Sequence, residues 1–182
     1  MDGEKAMEKT LRPATLRAAA WIGAGLLWLT PLVAMQFTEE VRWSVFDFAV
    51  FGVMLAVAAS LFDLATRLGG TLARRAAFAL TIGTGFVMTW ANLAVGLVGS
   101  EDDPINLMFW APLVVAFLGG VLVRFRPRPF SLVLVATAVA QMAPAVIAAV
   151  MGWGLALAPA AFFGVLWLGA AALFRVKPVT PR

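Results

Sequence analysis

The sequence predicts an all-α membrane protein, a six-transmembrane-helix bundle with both termini in the cytoplasm, and three observations predict it. Of its 182 residues 62% are hydrophobic and 13% charged, with a mean hydropathy of +0.92; soluble domains hold roughly 45 to 50% apolar and about 25% charged residues. The apolar residues gather into six runs long enough to cross a hydrocarbon core of about 30 Å at ~1.5 Å per residue. The cations alternate in side: four Lys or Arg precede the first run, three follow the second, three the fourth and three the sixth, and only Arg42 of the 14 lies on the other face. The positive-inside rule then places both ends in the cytoplasm. The runs lack the period-two alternation of a membrane barrel, which leaves helices as the spanning element.

Residues 1–17 form a mixed cytoplasmic tail, with Asp2, Glu4 and Glu8 against Lys5, Lys9, Arg12 and Arg17, and Pro13 discourages a long helix before the membrane. Ala18 to Phe37 is the first span, 20 residues without a charge. A cleaved signal peptide is the competing reading, but its apolar core is usually about 7 to 15 residues, so an uncleaved span is expected. The second span runs from about Trp43 to Thr66, with Thr38 as its expected N-cap, Arg67 at its negative end and Gly69 and Gly70 after it. Arg74 and Arg75 complete a basic loop, and the third span runs from Ala76 to about Gly99. Asp103 followed by Pro104 reads as an N-cap and first helical residue for the fourth span, Ile105 to Val123. After Arg124 to Pro129, a second basic loop, Phe130 to Trp153 makes the fifth span. Gly152-Trp153-Gly154 reverses the chain into the sixth, Leu155 to Phe174, and residues 175–182 return to the cytoplasm. Residues 18–174 are therefore one transmembrane domain. Trp43, Trp110 and Trp153 fall near the outer interface, as an aromatic belt requires. An internal duplication is weak: aligning Phe78 with Phe130 puts Thr89 on Gln141, but apolar helices match readily by chance.

Composition removes whole classes of chemistry. The chain has no Cys, His or Tyr, which takes away disulfides, thiolate nucleophiles, imidazole catalysis and the usual ligands of haem and zinc. Lys5, Lys9 and Lys177 all lie outside the spans, so no buried amine is present to form a Schiff base. No cofactor, metal or catalytic residue is expected, and the chain does not read as an enzyme. The pI near 10.7 reflects the topological arginines rather than affinity for nucleic acid. The expected partners are the lipid bilayer and another membrane protein or a second copy.

The remaining polar residues define one candidate site. Glu39, Glu40, Glu101, Asp102 and Asp103 make the outer surface acidic, which helix capping explains better than a cation site, since no EF-hand spacing is present. Asp63 precedes Arg67 by one turn, and an i, i+4 ion pair accounts for it. Asp47 lies about four residues, or ~6 Å, deeper than Trp43, where ionisable groups usually face protein or a wet cavity. Thr81, Gly85, Thr89, Asn92 and Gly96 form a small, polar stripe in the third span, and Thr137, Gln141, Pro144 and Ala148 form another in the fifth. Such stripes serve helix packing more often than ligands. Pro31, Pro112 and Pro144, with Asp47, Asn92 and Asn106, fall in the outer half, which points to a bundle splayed outward around a polar pocket of Asp47, Thr89, Asn92, Asn106 and Gln141.

The pieces from Phe37 to Trp43 (FTEEVRW), Phe46-Asp47-Phe48, Asn92 to Gly96 (NLAVG) and Gly99 to Met108 (GSEDDPINLM) resemble a family of small, uncharacterised bacterial inner-membrane proteins. The likeness covers roughly residues 37–141 and implies the bacterial inner membrane, multi-pass, but no activity, cofactor or substrate. Two functions stand open. One is the binding or transport of a small solute or cation through the periplasm-facing pocket; the other is a structural or accessory subunit whose stripes only pack helices.

Overall fold

The computed structural model describes residues 12–67, 70–100, 102–152 and 157–176, and every regular element among them is helical. The order is α1 (Pro13–Ala34), α2 (Val45–Arg67), α3 (Leu72–Ala94), a 3₁₀ helix (Pro104–Phe109) continuing into α4 (Trp110–Leu122), α5 (Pro127–Met151) and α6 (Leu157–Leu173). Five segments are long and apolar enough to cross a membrane: α1, α2, α3, the continuous Pro104–Leu122 and α5; α6 is a shorter apolar helix. The tail before Arg12, Gly69 as a cap, Glu101, the Trp153-Gly154 turn, Lys177 and Arg182 lie outside the described residues.

Several expected boundaries move, among them the start of α5, at Pro127 rather than Phe130, and the end of α1, at Ala34 rather than Phe37; three others have a clear local reason. Helix α1 starts at Pro13 rather than Ala18, because at the first helical position proline's missing N–H is one that would have no partner anyway. Helix α2 is not capped by Thr38, whose Oγ1 accepts the Glu40 N–H at 3.1 Å in the preceding turn; it starts after Ser44. Helix α3 takes Arg74 and Arg75 into its first turn and stops at Ala94 instead of Gly99, since Gly96 and Gly99 adopt φ of +72° and +65°. Such angles end a helix at little cost only at glycine.

The chain divides into two compact units, Met1–Leu72 and Ala73–Arg182. The first is the pair α1 and α2. At one end Asp63 pairs with Arg67, 2.9 Å away on its own helix, as the spacing predicts, and also with Arg17 of α1. At the other the Trp28 indole N–H donates to the Phe48 carbonyl at 2.9 Å, and Trp43 sits edge-on to Phe48 and Phe51. A Cβ on Gly52 would lie 2.9 Å from Trp28 Nε1, so glycine there admits the indole.

The second unit packs α3, the 3₁₀–α4 segment, α5 and α6. Lipid tails are as apolar as leucine, so close fit rather than water exclusion must hold these helices together. A Cβ on Gly85 would meet Leu113 at 3.3 Å and Trp167 at 3.8 Å, and one on Gly164 would meet the Ala138 carbonyl and Met142 sulfur, each at 3.9 Å. One end is closed by the rings of Phe78, Phe130 and Phe174, whose centroids lie 4.9–6.1 Å apart. Phe125 joins them 5.2 Å from Phe130. That contact holds a costly backbone in place: Arg124 and Phe125 adopt φ of 53° and 51° in a Schellman closure of α4, with the Phe125 N–H on the Gly120 carbonyl at 2.8 Å and the Arg124 N–H on the Val121 carbonyl at 2.9 Å.

Candidate functional site

At the opposite end of the second unit the described residues between α3 and the 3₁₀ helix form no regular structure of their own, and a single side chain organises them. Asn106 Oδ1 accepts the Leu97 and Val98 N–H groups at 2.9 and 3.0 Å. Its Nδ2 donates to the Val98 and Ser100 carbonyls at 3.0 and 2.6 Å. With two N–H groups facing one carboxamide atom and two carbonyls facing the other, the orientation is fixed and the hydrogen-bonding capacity is fully used. The Asn92 amide donates to the Asn106 backbone carbonyl at 3.1 Å, tying α3 to the same point. Asp103 occupies the expected cap position before Pro104 but makes no side-chain cap bond to that helix. Its carboxylate accepts the Ser100 N–H at 2.9 Å instead. Asp103 is thus wired into the backbone of its own loop, and no group of three or more carboxylates among the described residues is placed to hold a metal ion.

Asn92 and Asn106 are therefore brought together as the sequence suggests, in a role that is chiefly structural. Thr89, half-buried, returns its hydroxyl to the Gly85 carbonyl at 2.8 Å within its own helix. Asp47 belongs to the first unit and the other four to the second. Its exposed carboxylate accepts the Ser44 N–H at 2.7 Å and the Ser44 hydroxyl at 2.8 Å, while the Asp47 N–H donates to Ser44 Oγ at 3.2 Å. This reciprocal pair, a serine before the helix and an acid three residues on, is a capping box. Sequence reasoning missed it by looking for the cap at Thr38, although Ser44-x-x-Asp47 is itself the signal.

Gln141 is different. It is fully buried on α5, and neither carboxamide atom has a hydrogen-bond partner. Its neighbours on that face, Thr137, Pro144 and Ala148, are buried as the stripe predicts, but Thr137 satisfies its hydroxyl on the Val133 carbonyl at 3.0 Å. On α3 the buried face is Ala77, Phe78, Thr84, Met88 and Asn92, displaced from the expected stripe, and Thr84 likewise bonds to the Leu80 carbonyl at 2.7 Å. Asn92 Oδ1 and Trp167 Nε1 are likewise buried in this unit without a hydrogen-bond partner. Trp167 follows Gly164 by one turn, and Gly164 faces Ala138 and Met142, so Trp167 and Gln141 occupy neighbouring levels of the α5–α6 contact. The sequence gives no hint of Trp167, because a tryptophan in an apolar run reads as an interfacial anchor; only its place among Ala160, Phe163, Gly164, Ala170 and Ala171 makes it interior. Buried indole N–H groups usually find an acceptor. Comparison with protein-family models, with curated proteins and with solved structures found no match.

Proposed function

We propose that this is a six-span protein of the bacterial inner membrane, with both termini cytoplasmic, that binds or passes a small solute within its second unit and catalyses no reaction. The arginines between alternate helices support the orientation, and the apolar composition of α6 supports the sixth span, although its described 17 residues are shorter than the other five segments. The observation that carries the function is Gln141: a fully buried carboxamide with both ends unpaired. An unsatisfied buried amide group costs roughly 1–3 kcal/mol, more where surrounding lipid excludes water. Leucine would fill nearly the same volume without that cost. An amide there is explained by a bound molecule that completes its hydrogen bonds.

The test is Gln141→Leu in purified protein reconstituted into vesicles. Removal of an unpaired amide should raise the thermal midpoint, by an amount worth about 1–3 kcal/mol, while solute binding or flux is lost. A variant that melts lower, or binds and conducts as the parent does, overturns the proposal.

A second reading, a structural or accessory subunit, is favoured by Asn106, whose whole hydrogen-bonding capacity serves the fold. A stoichiometric membrane partner retained through purification, with no solute flux from the chain alone, would establish it. The resemblance over residues 37–141 is compatible with either reading.

A further inference from the structure

We infer that the molecule bound at Gln141 is small and uncharged and carries both a hydrogen-bond donor and an acceptor, an inference that rests on the solute-binding reading. The unpartnered atoms set the chemistry: Gln141 offers a donor and an acceptor, and Trp167 Nε1, at the neighbouring level of the α5–α6 contact, offers a second donor. Pro144, buried one turn beyond, has no N–H to give the Ala140 carbonyl, which adds an acceptor beside Gln141. Charge is missing from this level. The ionisable side chains described in the second unit lie at helix ends or between helices: Arg74 and Arg75 in the first turn of α3, Asp102 and Asp103 before the 3₁₀ helix, Arg124 and Arg126 before α5, Arg128 in its first turn, and Arg175 after α6.

A cation entering here would exchange its hydration shell for a few neutral oxygens and no carboxylate, and an anion would meet two neutral N–H donors and no guanidinium. Desolvating an ion is strongly unfavourable unless an opposite charge or a full ligand shell replaces the water. A neutral amide or polyol leaves far less hydration behind, and its alternating donors and acceptors match the set present.

The experiment compares acetamide and glycerol with rubidium and chloride as permeants of vesicles holding the full-length protein, by stopped-flow light scattering and tracer uptake. Parent, Gln141→Leu and Gln141→Met are measured, each first shown by its melting curve to be folded. Acetamide or glycerol entry several-fold above protein-free vesicles, returning to that background in both variants, with no protein-dependent ion uptake, is the expected result. Rubidium or chloride uptake that disappears in the variants would overturn the neutral-solute inference and leave the site at Gln141 standing. Permeation of all four probes that is identical in parent and variants would overturn the site as well.

Discussion

The side-chain amide of Asn92 donates to the backbone carbonyl of Asn106 at 3.1 Å across 14 residues of chain, so the last turn of α3 and the 3₁₀ helix before α4 close on each other through one bond. The Asn106 carboxamide then holds the intervening loop by four more. Asn106→Leu should be the more damaging of the two amide-to-leucine changes, since it strands two N–H groups and two carbonyls. At roughly 1–3 kcal/mol for each group that stays buried, a loss of about 3 kcal/mol or more is expected. Asn92→Leu removes one bond together with the unpartnered Asn92 Oδ1, and its cost should be small. Thermal unfolding in detergent measures both; equal losses would show that the loop is not held by Asn106.

Within the same loop Gly99 has φ of +65°, and a Cβ there would collide with the Asp103 carboxylate that holds Ser100. Gly99→Ala should lower stability, through both backbone strain and the broken Asp103 bond. Gly23, inside α1 with nothing within 4 Å of its Cβ position, is the control. Its alanine variant should gain up to about 1 kcal/mol from helix propensity. A melting curve in which the two variants shift together would contradict this account.

What the sequence made legible follows from the range of each interaction. Helix order, the Asp63–Arg67 pair and the α5 face of Thr137, Gln141, Pro144 and Ala148 depend on composition and on spacings within one or two turns, and all are recovered. Arg17 on Asp63 and Trp28 on Phe48 join residues of different helices, and no local pattern announces them. Apolar composition continues through Gly99, so the sequence alone extends the third span that far. The positive φ of Gly96 and the capture of Leu97 and Val98 by Asn106 are decided eight or more residues away. The α3 stripe is displaced for a related reason: small and polar residues suggest the interior, whereas Met88 and Phe78 fill it and Gly85 and Thr89 flank it.

Asp47 separates a helix cap from a ligand. Its carboxylate accepts from both the N–H and the hydroxyl of Ser44, so Asp47→Ala should melt measurably lower than the parent, while Asp47→Asn keeps an acceptor and loses less. Solute flux should survive in both folded variants. Loss of flux in Asp47→Asn with an unchanged melting curve would instead make Asp47 part of a transport site.

The orientation of the helices is open to a direct measurement, because the chain contains no cysteine and single ones report without background. Ser100 lends the loop its N–H and its carbonyl and is exposed, so Ser100→Cys exchanges one hydroxyl for a thiol and leaves the backbone bonds around Asn106 in place. Thr71 stands just before α3, next to the helix turn that carries Arg74 and Arg75. If the arginine-rich connections face the cytoplasm, an impermeant thiol reagent added to intact cells should label the cysteine at 100 and not that at 71, and permeabilised cells should label both. The same argument covers the terminal segments: a cysteine replacing Asp2 or Arg182 should react only after permeabilisation, provided the helix count is even. Labelling at 71 but not at 100 in intact cells would invert the whole arrangement, and labelling at only one of the two termini would leave five spans instead of six.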